Sequence, residues 1–164
     1  MYRGEFVDLL GRLAEDDNFN TVVKLPAARQ KDGTREDYVL RFFAFLDRYQ
    51  KFDHSVKDFL DDFISDAHKA PRIAPREAVF NSTFRYLSSC FPDGLKSRKG
   101  QTPVNLYEAV SVGAALALRE NAKIKVPNMD WVFSDELRAL VTGATNSRPR
   151  VRGRIEFARE KFLG

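Results

Sequence analysis

The sequence predicts an all-α protein: a single compact domain of about seven helices spanning residues 1–164, with no substantial sheet. Three observations predict it. Apolar residues recur at spacings of three and four along the chain, and sustained period-two alternation is hardly present. Several of these stripes open on Ser, Thr or Asn with an acidic residue three positions later, the pattern of a capped helix start. Pro26, Pro71, Pro92-Asp93-Gly94 and Gly143 punctuate the stretches between stripes.

Taken in order, Phe6, Leu9, Leu10 and Leu13 form one stripe and predict a helix over about 5–15, ended by Asp16, Asp17 and Asn18. The polar stretch that follows carries Phe19, Val22, Val23 and Leu25 as apolar anchors, and Pro26 blocks a long helix there. Thr34 with Asp37 reads as a cap for a helix to about Tyr49, striped by Tyr38, Val39, Phe42, Phe43 and Leu46. Ser55 with Asp58 caps the next, where Val56, Phe59, Leu60, Phe63 and Ile64 fit the helical template without a miss. Pro75 suits the first turn of a helix running to about Phe91. Asn105 with Glu108 predicts a cap for a helix rich in Gly113, Ala114, Ala115 and Ala117, residues small enough for close helix approach and hence for a central position. Ser134 caps a short helix to about Val141, and a last helix runs from about Arg148 to Phe162.

Composition bounds the function. The chain of 164 residues is 43% hydrophobic and 30% charged, ordinary globular material. A chain of this size buries roughly two-thirds of its surface and needs no disulfide staples. Fourteen phenylalanines predict an aromatic core. The one cysteine, Cys90, excludes an intramolecular disulfide and a Cys-rich metal site. No apolar run approaches the roughly 20 residues of a membrane span, and Met1-Tyr2-Arg3-Gly4-Glu5 lacks a signal-peptide core. A cytoplasmic, reducing setting is therefore expected.

Catalytic signatures are scarce. No GxxxxGK[ST], GxGxxG or GxSxG string occurs. His54 and His68 lack HxxxH or HExxH spacing and read as surface residues. Cys90 sits on an apolar stripe and reads as a buried thiol rather than a nucleophile. Asp58 and Asp62 share a helical face that suits Mg²⁺ in principle, but a solvated face with Asp58 serving the helix dipole explains them as well. Pro92-Asp93 resembles the start of a PD-(D/E)xK nuclease signature, yet no later acid has Lys two positions on. No catalytic residue, metal ligand or cofactor is expected.

The charge distribution is more informative. The chain carries a net +4, and residues 147–164 alone place six basic side chains against two acidic ones. The basic residues are Arg148, Arg150, Arg152, Arg154, Arg159 and Lys161. At 100° per residue, Val151, Ile155, Ala158 and Phe162 point inward, and Arg150, Arg154 and Lys161 cluster opposite. Such a stripe suits a phosphate backbone, and substituting those three residues should spare the fold. Lys96, Arg98 and Lys99 in the loop after Gly94 would extend the patch if the fold brings them near. The alternative is that the basic face docks on the acidic helix of residues 55–66.

Several strings resemble one family in order and spacing. They are Tyr2-Arg3-Gly4-Glu5-Phe6, Arg35-Glu36-Asp37-Tyr38-Val39-Leu40-Arg41-Phe42-Phe43-Ala44, Asp58-Phe59-Leu60-Asp61-Asp62-Phe63, Phe80-Asn81-Ser82-Thr83-Phe84, Asn105-Leu106-Tyr107-Glu108-Ala109-Val110 and Arg154-Ile155-Glu156-Phe157-Ala158. Together they resemble the GmrSD-type, ParB/sulfiredoxin-like group of bacterial restriction and anti-phage defence proteins. The resemblance implies that nucleotide hydrolysis and DNA cleavage belong to an N-terminal ParB-like domain that precedes these residues. What it implies for this chain is a non-catalytic helical module that supports or positions such a nuclease domain. Non-specific DNA backbone contact would run through the basic C-terminal helix. The alternative is a stand-alone protein-protein interaction module that binds a separate catalytic partner. Two structural features discriminate these from an enzyme. An exposed apolar patch near residues 1–13 would mark a surface that another domain covers. A pocket joining Asp58, Asp62 and His54 would favour turnover.

Overall fold

The computed structural model describes residues 3–143 and 146–164; Met1 and Tyr2, the head of the first string above, lie outside them. The described residues form eight α-helices, joined by loops and three short 3-10 turns, with no strand among them. The helices are α1 (Glu5–Leu13), α2 (Asp17–Val22), α3 (Thr34–Arg48), α4 (Val56–Lys69), α5 (Ile73–Cys90), α6 (Val104–Glu120), α7 (Asp135–Val141) and α8 (Arg148–Leu163).

The helix beyond the expected seven is α2. Asp16, read as a terminator of α1, is instead the N-cap of α2, its carboxylate accepting a hydrogen bond from the Phe19 backbone N–H at 3.0 Å. Two other expected caps act differently. Thr34 is not a cap: it donates its backbone N–H and its hydroxyl to Asp32, at 3.1 and 2.6 Å. Those bonds from Thr34, with Arg29 adjoining, bring the Asp32 carboxyl down to about 2. Asn105 is not a cap either, because α6 starts at Val104 after Pro103 and the Asn105 amide donates to the Val141 carbonyl at 3.3 Å. Ser55 and Ser134 do cap α4 and α7, accepting from the backbone N–H of Asp58 and Leu137.

One continuous core joins all eight helices. Every phenylalanine except Phe133 and Phe157 is buried. Phe19, Phe42, Phe80, Phe84 and Tyr107 form a cluster of edge-to-face, tilted and stacked pairs with centroids 4.5–6.4 Å apart. Each buried Phe contributes about 1.5–3 kcal/mol, so this cluster outweighs any single polar contact in the fold. The apolar face of α1 packs on α3, α4 and α5, with Phe6, Leu9, Leu10 and Leu13 all buried. No exposed apolar patch therefore marks the described part of residues 1–13. Among the described residues, the exposed large apolar side chains are Val126, Phe133 and Leu163.

Central α6 packs on α3, α5 and, most extensively, α8. Gly113 explains the last contact. A Cβ built there would lie 2.6 Å from the Ala158 Cβ and 2.8 Å from the Arg159 backbone nitrogen. The two backbones thus approach at a distance that only glycine permits. α8 is also covered by α7, so it is buried on two sides.

Candidate nucleic-acid interface

The close approach of α6 and α8 decides what the basic residues of α8 can do. Arg154 does not lie on an outer face. It is fully buried, and its Nη2 donates to Glu108 Oε1 at 3.0 Å. Glu108 is itself buried and accepts from Arg41 Nη1 at 2.8 Å through its other oxygen. Arg41 Nε donates to Asp37 at 2.8 Å. The result is an ionic bridge from α3 through α6 to α8. Burial holds the Arg154 guanidinium below its ordinary range against the pull of Glu108. Burial also acts on Arg41, but Glu108 and Asp37 outweigh it and hold that group above its ordinary value. Both remain cations, as guanidiniums do. The expectation that Arg154 joins Arg150 and Lys161 on a free face is therefore corrected. A helix packed on two sides has no fully outward half, and this arginine is neutralised inside.

The other cations of α8 are partly committed. Arg148 donates to the Phe52 carbonyl at 3.3 Å and approaches Asp53 at 3.5 Å. Arg150 Nη1 donates to the carbonyls of Ala139 and Thr142, at 3.3 and 3.0 Å, and so ties α8 to the end of α7. Arg152 faces Glu156 and Arg159 faces Glu120, each at 3.7 Å. Lys161 lies over the Phe157 ring at 5.3 Å. The alternative docking on residues 55–66 also needs adjusting. Arg148 reaches Asp53, ahead of α4, whereas Asp61 and Asp66 of α4 pair with Lys57 and Arg48.

The loop cations fare differently. Residues 94–103 are anchored by hydrogen bonds to the end of α2 and the segment after it. Leu95 N–H donates to the Val22 carbonyl and Thr102 N–H to the Lys24 carbonyl, both at 2.8 Å. The buried Thr102 hydroxyl donates to the Leu95 carbonyl at 2.6 Å and accepts the Lys24 N–H at 2.8 Å. Tyr38 donates its hydroxyl to the Thr102 carbonyl at 2.8 Å. From this base a turn, closed by Gly100 N–H to the Ser97 carbonyl with Gly100 at φ +77°, holds Arg98 and Lys99 outward. Lys96 is exposed on the same loop.

Arg98 and Lys99 line an open groove of about 410 Å³ with Leu106, Val132, Phe133, Arg138, Val141 and Thr142. Thr142 is also the residue whose carbonyl Arg150 holds, so the loop and the start of α8 meet at the end of α7. The groove has an apolar floor, three cations on its walls and Phe133, 61% exposed, at its edge. This combination suits nucleic acid: cations track phosphates and an aromatic face accepts a base. Phe133 and Arg138 escaped the sequence reading, though a signal for them exists. Phe133 precedes the Ser134 cap, where an apolar residue ordinarily staples onto an apolar partner four positions beyond the cap. That partner position holds Arg138, so Phe133 has nothing to cover it.

The acidic alternative does form a pocket. Lys51, Asp53, His54, Ser55, Asp58 and Asp62 line a depression of about 210 Å³. Among the described residues no three His, Cys, Asp or Glu side chains are placed to hold a metal. Asp53 and His54 are 68% and 81% exposed and lie 3.1 Å apart, so water screens them. Cys90 is buried, and burial pushes its thiol up to about 11, leaving it protonated and unreactive at neutral pH.

Comparison with protein-family models, with curated proteins and with solved structures returns no match for this chain. Among the described residues, no helix is long and apolar enough to cross a membrane.

Proposed function

We propose that this chain is a non-catalytic helical module of a DNA-targeting protein of the restriction and anti-phage class that its sequence resembles. In this reading it holds the phosphate backbone of DNA for a ParB-like catalytic domain or subunit. The observation that carries the reading is the groove: Arg98, Lys99 and Arg138 gathered beside an uncovered Phe133. The contact surface moves from the outer face of α8 to the seam between the 94–103 loop and α7, with Arg150 at its margin. Phosphates are the targets, because the polar groups the groove offers are chiefly its three cations. Binding is then weak, sequence-tolerant and steeply salt-dependent. Fluorescence anisotropy with labelled single- and double-stranded DNA, repeated across salt concentrations, tests it. Binding insensitive to salt, or absent at low salt, sinks the reading.

A protein partner is the second reading. The apolar floor of the same groove, Leu106, Val132 and Val141, suits an apolar side chain from a separate catalytic subunit. Such binding would weaken on Phe133→Ala and change little with salt.

The chain contributes binding rather than turnover in either reading. Purified protein should neither hydrolyse nucleoside triphosphates nor cut DNA. Turnover abolished by Asp62→Ala would assign chemistry to the acidic depression.

A further inference from the structure

A second cationic site lies in the cleft where α3, the start of α5 and the end of α6 meet. The cleft holds about 160 Å³ and is lined by Phe43, Leu46, Asp47, Arg72, Pro75, Arg76, Val79 and Arg119. None of these residues lines the DNA groove, and the inference below does not rest on that reading. Arg76 is the centre. Its guanidinium carbon lies 5.1 Å from the Phe63 ring centre, 5.4 Å from Phe6 and 6.0 Å from Phe43. Three aromatic faces thus hold the charge in place. Its Nε donates to the Pro71 carbonyl at 2.8 Å, and no carboxylate among the described residues pairs with it. Burial holds Arg76 below its ordinary value; Asp47 opposes this, and Arg72 and Arg48 add to it.

Arg72 and Arg119 converge on the same cleft, are exposed, and make no ion pair among the described residues. The one acid present, Asp47, already accepts from Arg48 Nε at 3.1 Å. Three guanidiniums against one carboxylate leave at least two positive charges. The first turn of α5 lines the cleft without a side-chain cap, so the positive end of its dipole adds to the field. Its N-cap is Arg72, at φ +48°, the one described non-glycine residue in the left-handed region. That conformation is disfavoured for a residue with a Cβ.

We propose that this cleft binds a phosphomonoester dianion. A phosphate carries about −1.5 to −2 at neutral pH and matches the residual charge better than a carboxylate does. Guanidinium forks engage its oxygens in pairs. Phe43, Leu46, Pro75 and Val79 form an apolar rim for the carbon side of the ester.

The test titrates inorganic phosphate into the intact chain in a chloride background of matched ionic strength, following the Arg76 Nε–Hε NMR signal and heat of binding. Saturable binding with a shift of that signal is expected. The exposed pair Arg72→Gln/Arg119→Gln should weaken it about tenfold or more without changing the melting temperature. Arg76→Lys keeps the charge over the rings but loses the fork and should weaken it as well. If Arg76→Lys fails to fold, the exposed pair still decides. Phosphate acting no more strongly than chloride, acetate acting as well as phosphate, or the exposed pair binding like the parent overturns the proposal. Phenyl phosphate, and an oligonucleotide with either a 5′-phosphate or a 5′-hydroxyl, then identify the source. Tighter phenyl phosphate with no 5′-phosphate gain supports a small ester. A 5′-phosphate gain lost in the exposed pair supports a nucleic-acid end.

Discussion

Arg154 and Arg98 have the same side chain and opposite fates. Arg154 lies sealed between α6 and α8, bound to Glu108 at 3.0 Å and fully buried. Arg98 stands exposed on a turn beside Lys99, Arg138 and Phe133. The first cation is neutralised within the fold and the second stands open to solvent. A run of basic residues therefore says where charge is, whereas only packing says which charge is available. In α8 the charge that looked most like a surface stripe includes a fully buried residue paired with a buried carboxylate. The groove, with fewer cations, presents Arg98 and Lys99 without an ion pair among the described residues and Arg138 with only a long contact to the exposed Asp135, at 3.8 Å.

The largest test of that contrast is Glu108→Ala. It leaves Arg154 buried with its carboxylate partner gone and Arg41 with Asp37 alone. Removing one partner of a buried pair costs about 3–5 kcal/mol. In a domain of this size that is a fall in melting temperature on the order of 10 °C. A thermal melt checks it, and a variant that melts like the parent would break the comparison.

The groove answers in a different measurement. Arg98→Gln/Lys99→Gln/Arg138→Gln should leave the melting curve in place, because these side chains are exposed. It should also lower the slope of log K against log salt on duplex DNA by up to about 2.7, at about 0.9 per phosphate released. An unchanged slope would falsify the assignment of these three residues to the backbone.

Phe133→Ala sharpens the picture further. Loss of one stacking platform weakens single-strand binding by about 1–3 kcal/mol and leaves duplex binding nearly unchanged, since paired bases cannot stack on it. Anisotropy on both substrates separates the two. Equal losses on both would mean that Phe133 shapes the loop instead.

The smallest effect belongs to the outer face of α8. Arg152→Gln removes a pair 3.7 Å long between partly exposed groups. It should shift stability by no more than about 1 kcal/mol. Adding Lys161→Gln removes only a cation over a half-buried ring, so the pair should move DNA affinity less than the groove variant does. A larger loss from α8 than from the groove would restore the stripe as the binding surface.

Much of the fold was legible because local rules decide it. Ser55 and Ser134 cap where expected, and Val56 through Ile64 keep helical spacing. α2 was not legible, because it is six residues long and opens on three polar residues that read as a stop. Glu108 was legible as a helix-start acid, but its partners lie 46 and 67 positions away, where spacing carries no information. The candidate site split along the same line. Arg98 and Lys99 showed as loop cations, whereas their meeting with Arg138 depends on how the 94–103 loop folds over α7. Arg154 was misplaced because a helical wheel assigns one buried face, and Gly113 lets α6 and α8 close around a second.

Thr102 has a consequence for how the groove works in time. Its hydroxyl ties Leu95 to Lys24, and its backbone groups are held by Lys24 and Tyr38. The amide hydrogens of Lys24, Leu95 and Thr102 should then exchange with solvent as slowly as those of the central helices, although all three lie in loops. The amide hydrogen of Arg98, a few residues away on the exposed turn, should exchange faster. In the proposed function, a faster tip on a slow base would give the cations freedom to follow a backbone while the cost of ordering the loop's base has been met during folding.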